Sequence, residues 1–502
     1  MMKRTFAVIA VAAMTAMVFS CTPKPDPEPA VQDDYYYVNQ FAYNEMSTYY
    51  LWIEEIAEGM SSWYTNADPV RKVQEIRYKD SYGNDIDKWT QMLENYEESS
   101  SSVAGVSKTY GFDFALYYAD SGHKSICAVV TLVYPGSPAA EAGMMRGDVI
   151  TKVNGKTMTE QTYYDIVVDE LLGGDACSLS LNNGKQHDLK SVQMYEEPVL
   201  CSKVFDCGSK KIGYLLYNSF TMDSYEPLIA AFSSFKEAGV SELILDLRYN
   251  GGGYLTAAET LASLIAPEKE VLAGSLFEQE IYNSQLSEAL KKNDENFNKT
   301  YFHTDFKFTN AGKTYDYSTS GINPGIKKLY ALVGSGTASA SELLLVGLKP
   351  YMDVELLGTQ THGKYCAGLM LSGKDFYETV GSRLEDGEYE KAMEKIGDWG
   401  IYVMISRYAD KNGNTPCMPD GFVPDFGVED NPLDGCQLGD PEETMLAFAL
   451  NRAGYRPASK APSAMRSAKE NLQPCELQVE DSLPGLVVDP KGFPVSAARR
   501  IR

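Results

Sequence analysis

Histidine is scarce in this 502-residue chain: four are dispersed at positions 123, 187, 303 and 362. Without clustered imidazoles, and with no C-x-x-C pair among nine cysteines, a structural zinc site is not expected. Basic residues are also few. Forty-five Lys and Arg face 69 Asp and Glu, a formal net charge of −24. Such a surface repels nucleic acid and anionic head groups, so nucleic acid is not an expected partner. A long apolar run is missing too: the stretch from Phe6 to Phe19 is too short to cross a bilayer. Neither metal nor cofactor is called for.

Lys3 and Arg4 precede that stretch, small residues end it, and Cys21 follows. This order is that of a secretory signal peptide over residues 1–20. Val18-Phe-Ser-Cys21 resembles the lipobox of bacterial lipoproteins, in which the cysteine is acylated and becomes the first mature residue. The alternating prolines of 21–34 stay extended and hold a domain off a surface. The expected address is the bacterial cell envelope, on its periplasmic or outer side, with the bilayer a partner through acylated Cys21. Removing residues 1–20 takes away two positive charges, leaving 43 against 69, or −26. Export permits disulfides, and Cys201–Cys207 or Cys417–Cys436 could pair; buried free thiols are the equal alternative.

About 480 mature residues exceed one ordinary domain. Residues 35–103 are rich in Tyr, Trp and charge. Tyr49, Trp52, Ile53, Ile56 and Met60 recur at helical steps, and Trp89, Met92, Leu93 and Tyr96 restart the pattern, so a small helical domain is expected, closed by the serines of 99–102. Residues 104–196 are β-rich. Val129–Val133 reads as a strand, Ser137 as the N-cap of a short helix ended by Gly143, and Asn154-Gly155 as a hairpin turn. The run Pro135-Gly-Ser-Pro-Ala, then Gly147-Asp-Val-Ile-Thr-Lys-Val-Asn-Gly, resembles a PDZ domain. PDZ domains add a peptide's free C-terminus to a strand edge and hold its carboxylate on backbone N–H groups. The resemblance places that loop at Tyr110, Gly111, Phe112 and Asp113.

From 197 to 455 strands and helices alternate, as in an α/β core with parallel pairing. Residues 278–325 are polar and turn-rich and read as an insertion or flexible lobe; 456–502 has few apolar runs and is expected to be weakly structured. Three segments of the core carry chemistry. Asp246-Leu-Arg-Tyr-Asn-Gly-Gly-Gly is a strand ending in bare glycine backbone, the material of an oxyanion hole. Gly336-Thr-Ala-Ser-Ala-Ser-Glu leads into an apolar helix whose N-terminal end favours an alkoxide. Val354-Glu-Leu-Leu-Gly-Thr-Gln-Thr-His-Gly-Lys ends at Lys364. Its Gly-x4-Gly-Lys also fits a P-loop, but Tyr365 stands where the Mg²⁺-binding hydroxyl should. Asp410-x-Asn412-x-Asn414 lacks the rest of a calcium loop and reads as a hairpin turn.

In order, a PDZ module, the DLRxNxGG run, the Ser-Ala-Ser-Glu motif and the Gly-Lys loop resemble the C-terminal processing, or tail-specific, peptidases over about 104–450. The resemblance implies an α+β multidomain chain with a crotonase/ClpP-like α/β core. The family's serine and lysine stand 25 positions apart, as do Ser339 and Lys364, which selects Ser339 over Ser341 as nucleophile. Gly252 and Ala340 become the oxyanion donors by the same analogy. A serine hydroxyl attacks only when a neighbour accepts its proton, and a lysine accepts one only when desolvated. Lys364 is therefore expected to be buried beside Ser339. One departure stands out: relatives carry a glutamine four residues after the lysine, and here it is Gly368. His362, Ser341 or a loop carbonyl would have to orient Lys364 instead. The expected partners are polypeptides with free C-termini; oligomeric state is left open. Two alternatives remain: a non-catalytic peptide- or ligand-binding lipoprotein on the same fold, and a crotonase-like acyl enzyme.

Overall fold

A computed structural model describes residues 35–61, 63, 68–310, 312–455, 472–475 and 487. Cys21, the signal segment and the tether lie outside the described residues. At the centre is a six-stranded sheet in the order 426–427, 353–358, 328–333, 240–246, 211–217, 199–206. Its first five strands are parallel and the last is antiparallel. Alternate residues of each strand face opposite sides. Leu243 and Leu245 pack with the helices Tyr225–Ala238, Leu255–Ile265 and Ala340–Leu348, whereas Ile244 faces the helix Thr444–Arg452. Burial on both faces explains the continuous apolar runs in sequence. The three chemical segments leave the carboxyl ends of three adjacent parallel strands, 240–246, 328–333 and 353–358, so they meet over one edge of the sheet.

A second sheet is organised by the ten-residue strand Gly400–Ala409. It pairs antiparallel with Cys366–Ser372, Gln91–Leu93 and Leu276–Tyr282. Several expectations change here. Residues 35–103 do not fold apart: Val38, Phe41, Met46, Met92 and Leu93 share one apolar cluster with the core. The main helix is Tyr36–Tyr49, earlier than the expected face, and 91–93 is strand, because edge pairing with Gly400–Tyr402 outweighs its helical spacing. The serines of 99–102 lie inside a helix, Tyr96–Val103, instead of a linker. Nor is 278–325 a loose lobe. Phe277, Tyr282 and Leu286 are buried, and the hairpin 305–318 stacks Phe306 on Tyr317 and Phe308 on Tyr315, with ring centroids 4.9 and 4.8 Å apart.

The β-rich module has a sheet including Phe112–Tyr118, Ile126–Val133, Val149–Val153, Ala176–Leu181 and Gln186–Lys190. The Ser137 hydroxyl caps its short helix by accepting from Ala140 N at 3.2 Å. Asn154 and Gly155 both have positive φ, as the hairpin turn requires. All eight described cysteines are free thiols. Cys201 and Cys207 are six residues apart along one extended segment, roughly 20 Å, far beyond disulfide reach. Cys417 is buried with its sulfur 3.9 Å from the Tyr408 hydroxyl, and it and Cys436 are both free. In the tail expected to be weakly structured, residues 473–474 and 487 are strand-paired.

Candidate active site

Ser339 sits at the turn between the strand 328–333 and the helix Ala340–Leu348 with φ 61° and ψ −110°. For a residue with a Cβ this costs about 1–3 kcal/mol and persists only where neighbours hold it. They do. Ala338 N donates to Asn250 O at 3.1 Å, Ser341 Oγ to the same carbonyl at 3.0 Å, and Thr337 Oγ1 to Leu247 O at 2.7 Å. The residue is fully buried, and the positive end of the helix begins at its own position.

Lys364 ends the loop after the strand 353–358 and is 4% exposed. A strand, Cys366–Ser372, follows it in place of the helix a P-loop needs. Its Nζ lies 3.3 Å from Tyr402 Oη, 4.8 Å from the Tyr402 ring centroid and 5.8 Å from that of Trp89. Two aromatic faces thus replace water around the amine.

The backbones of Ser339 and Lys364 are fastened to each other. Glu342 Oε2 accepts from Ser339 N at 3.0 Å and from Lys364 N at 2.8 Å, while Oε1 accepts from Thr361 Oγ1 at 2.6 Å and Gly363 N at 2.8 Å. Burial pushes this carboxyl above its ordinary range, and the hydrogen bonds pull it partly back. On the other side Tyr408 Oη lies 2.5 Å from Lys364 O and 3.2 Å from Ser339 O. Gly363 must be glycine: at φ +85° a Cβ would meet Gly421 N at 2.6 Å.

Gly252 faces the same point. A Cβ there would sit 2.9 Å from Ser339 Cβ and 3.0 Å from Ala340 N. Its own N–H donates to Asn250 Oδ1 at 2.9 Å, while Asn250 Nδ2 donates to Tyr217 O at 2.8 Å. Ala340 N–H is at the first helical position and has no acceptor within its helix.

Tyr402, whose hydroxyl lies 3.3 Å from Lys364 Nζ, fills the space beside Gly368. A Cβ at Gly368 would strike its ring at 2.5 Å, so the ring occupies the space a larger residue would take. Ser341 is committed to Asn250 O, and the His362 side chain is exposed. Tyr402 lies 38 positions beyond Lys364, and no local pattern marks it. Glu342 was readable, because Ser339-Ala-Ser-Glu342 has the S-x-x-E spacing of a capping box.

In the β-rich module Gly111 has φ +84° and a Cβ would fall 2.0 Å from Ser137 Cβ; its carbonyl accepts from Tyr134 N at 2.9 Å and Ser137 Oγ at 3.1 Å. Tyr110 is buried, with its hydroxyl donating to Glu170 O at 3.3 Å. Phe112 and Asp113 begin the strand, and the Asp113 carboxylate accepts from Tyr134 Oη at 3.3 Å. The module reaches the glycine turn through charge. Arg146 donates to Tyr249 Oη and Asp430 Oδ1, both at 2.6 Å, and Arg248 binds Asp430, Glu443 and Asp246 at 2.7, 2.7 and 2.8 Å.

Among the described residues no three His, Cys, Asp or Glu are arranged to hold a metal ion, and no helix is long and apolar enough to cross a membrane. Residues 129–168 match the model of a PDZ domain. A Staphylococcus aureus (strain N315) protein described as a probable CtpA-like serine protease is 25% identical over 340 residues, 65% of this chain and 62% of its own length. The chloroplastic C-terminal processing peptidase of Tetradesmus obliquus is 25% identical over 335 residues, 62% of this chain and 63% of its own. The chain thus spans less than two thirds of the length of these relatives. A solved structure from Bacteroides fragilis NCTC 9343, described as an S41 protease, shares the fold with a TM-score of 0.59 at 22% identity, covering 86% of this chain and 98% of that one. Residues 211–428, which hold the glycine turn, Ser339 and Lys364, match the model of peptidase family S41.

Proposed function

We propose that the chain is an exported serine endopeptidase in which Ser339 attacks the peptide carbonyl and Lys364 takes its proton. The observation that carries this is the double fastening of the two backbones by Glu342 and Tyr408, with the amine enclosed by Trp89 and Tyr402. Pre-positioning nucleophile and base removes most of the entropy of bringing them together. An amine screened from water is the form of lysine that serves as a general base. After attack, Ala340 N–H and, once Gly252 N–H turns from Asn250, a second donor stabilise the oxyanion. Lys364 then returns its proton to the leaving amine, and water repeats the cycle on the acyl-enzyme. The PDZ strand edge supplies capture of a polypeptide's free C-terminus. Acylation of Cys21 would hold the enzyme at the bacterial envelope, as the Val18–Cys21 motif implies.

Digestion of an unfolded protein such as reduced casein tests the assignment. Wild type should cleave it, and Ser339→Ala and Lys364→Ala should both fall to background; equal cleavage by either variant would refute the dyad. Mass spectrometry of the palmitate-labelled N-terminal peptide tests the anchor, and an unmodified Cys21 in a bacterial host would rule it out.

A further inference from the structure

Two strand edges of this molecule are shaped to take an extended peptide, and the chain's own tail touches both. At the PDZ module, Gln473 pairs antiparallel opposite Tyr118 and Pro474 opposite Tyr117, and Cys475 N donates to Leu116 O at 3.0 Å. The tail therefore runs from the far end of the strand Phe112–Tyr118 towards the loop at Tyr110 and Gly111. That is the direction in which a C-terminus would travel to reach that loop. Cys475 packs on the module's apolar cluster together with Phe114 and Tyr163.

Val487 lies at the other edge. Its N–H donates to Gly253 O at 3.0 Å and its carbonyl accepts from Leu255 N at 3.3 Å. It bridges in parallel to Tyr254 on one side and to Gly368 on the other. Gly253 directly follows Gly252, which abuts Ser339, and Gly368 is four residues beyond Lys364 on the lysine's strand. The side chain is 5% exposed and joins the main core cluster. A residue strand-paired on both sides, between the glycine turn and the lysine's strand, sits where an extended substrate would enter. Eleven residues separate Cys475 from Val487, enough chain to span about 40 Å when extended.

We propose that residues 472–475 and Val487 act as intramolecular ligands of the two peptide-binding edges, which holds the enzyme latent until a substrate C-terminus displaces 472–475 from the PDZ strand. The second contact rests on the peptidase assignment above; the first does not. A tethered ligand competes at an effective concentration of roughly millimolar, so even weak pairing blocks a dilute substrate. Displacement at the PDZ edge shortens the attached part of the tail and lowers that advantage at the cleft.

Three chains test this beside wild type: one lacking residues 457–502, Cys475→Pro, which removes the N–H bonded to Leu116, and Val487→Pro, which removes the N–H bonded to Gly253. On a labelled peptide substrate the deletion should raise kcat/KM about tenfold or more, with smaller rises for the point variants. Unchanged rates in the deletion and in Val487→Pro would overturn the proposal. Should the deletion fail to fold, the two point variants carry the same comparison. A second measurement needs no catalysis: a fluorescein-labelled peptide of residues 470–490 is titrated, by anisotropy, onto Ser339→Ala chains with and without 457–502. Binding to the shortened chain but not the full one is expected. Equal binding to both, or none to the shortened chain, sinks the tail ligand. Expected binding with no hydrolysis by any variant would instead overturn the peptidase reading alone.

Discussion

Ser339 and Lys364 donate their backbone N–H groups to a single oxygen of Glu342, at 3.0 and 2.8 Å. Their 25-residue separation in sequence is closed by one carboxylate. Glu342→Gln keeps the shape but turns one accepting oxygen into a donor that faces other donors. Two of four hydrogen bonds are lost, a cost of about 2–4 kcal/mol. Urea unfolding should show that loss, and kcat should fall at least about tenfold as nucleophile and base drift apart. Wild-type kcat in a folded Glu342→Gln would remove the carboxylate from the positioning argument.

Tyr402 is assigned the role of the missing glutamine. Tyr402→Phe keeps the ring against Gly368 but removes the hydroxyl 3.3 Å from Lys364 Nζ. We expect kcat to drop about tenfold with KM and urea stability unchanged, the size of one lost hydrogen bond. Gly368→Gln alone should overpack the site and cost about 1–3 kcal/mol. Gly368→Gln with Tyr402→Ala should regain activity relative to Tyr402→Ala; a double variant slower than the single one would refute the exchange.

Asp430 joins Arg146 of the PDZ module to Arg248 and Tyr249 beside the glycine turn. Burial raises its carboxyl, but the Arg248 and Arg146 charges outweigh this and leave it below the usual 3.8. A lowered folded value stabilises above 3.8, and the gain disappears as pH falls through the folded value. Asp430→Asn should therefore destabilise at pH 7, by about 3 kcal/mol for a broken buried ion pair, and the cost should shrink as pH falls below 3.8 through the lower folded value. A pH-independent difference between the two urea midpoints would contradict the charge link.

Glu278 and Glu280 behave in the opposite sense. Burial, then the neighbouring Glu280 charge, pushes the Glu278 carboxyl well above 4.5. A raised folded value gives full stability below 4.5 that is lost as pH climbs through the folded value. Glu278→Gln should be more stable than wild type at pH 8 and no more stable at pH 4.5. Thermal melts across that range check it, and an equal shift at both ends would exclude titration as the cause.

The parallel core, the PDZ hairpin at Asn154-Gly155 and the three loops of the site were all legible, because each rests on local pattern. What escaped was set by contacts between distant segments. Residues 91–93 became strand only through Gly400–Tyr402, and Tyr402 reached Lys364 only through the register that places Gly368 beside Met404. The hairpin 305–318 looked like a loose lobe because its stability lies in stacked Phe and Tyr rings, which hydropathy averages away.

Trp89 shields Lys364 from near the front of the chain, and Tyr402 does so from more than 300 residues later. A growing polypeptide that has released Ser339 and Lys364 still lacks one wall around the amine. On the proposed dyad, the enclosure of the amine is complete only once Tyr402 has joined Trp89 around it.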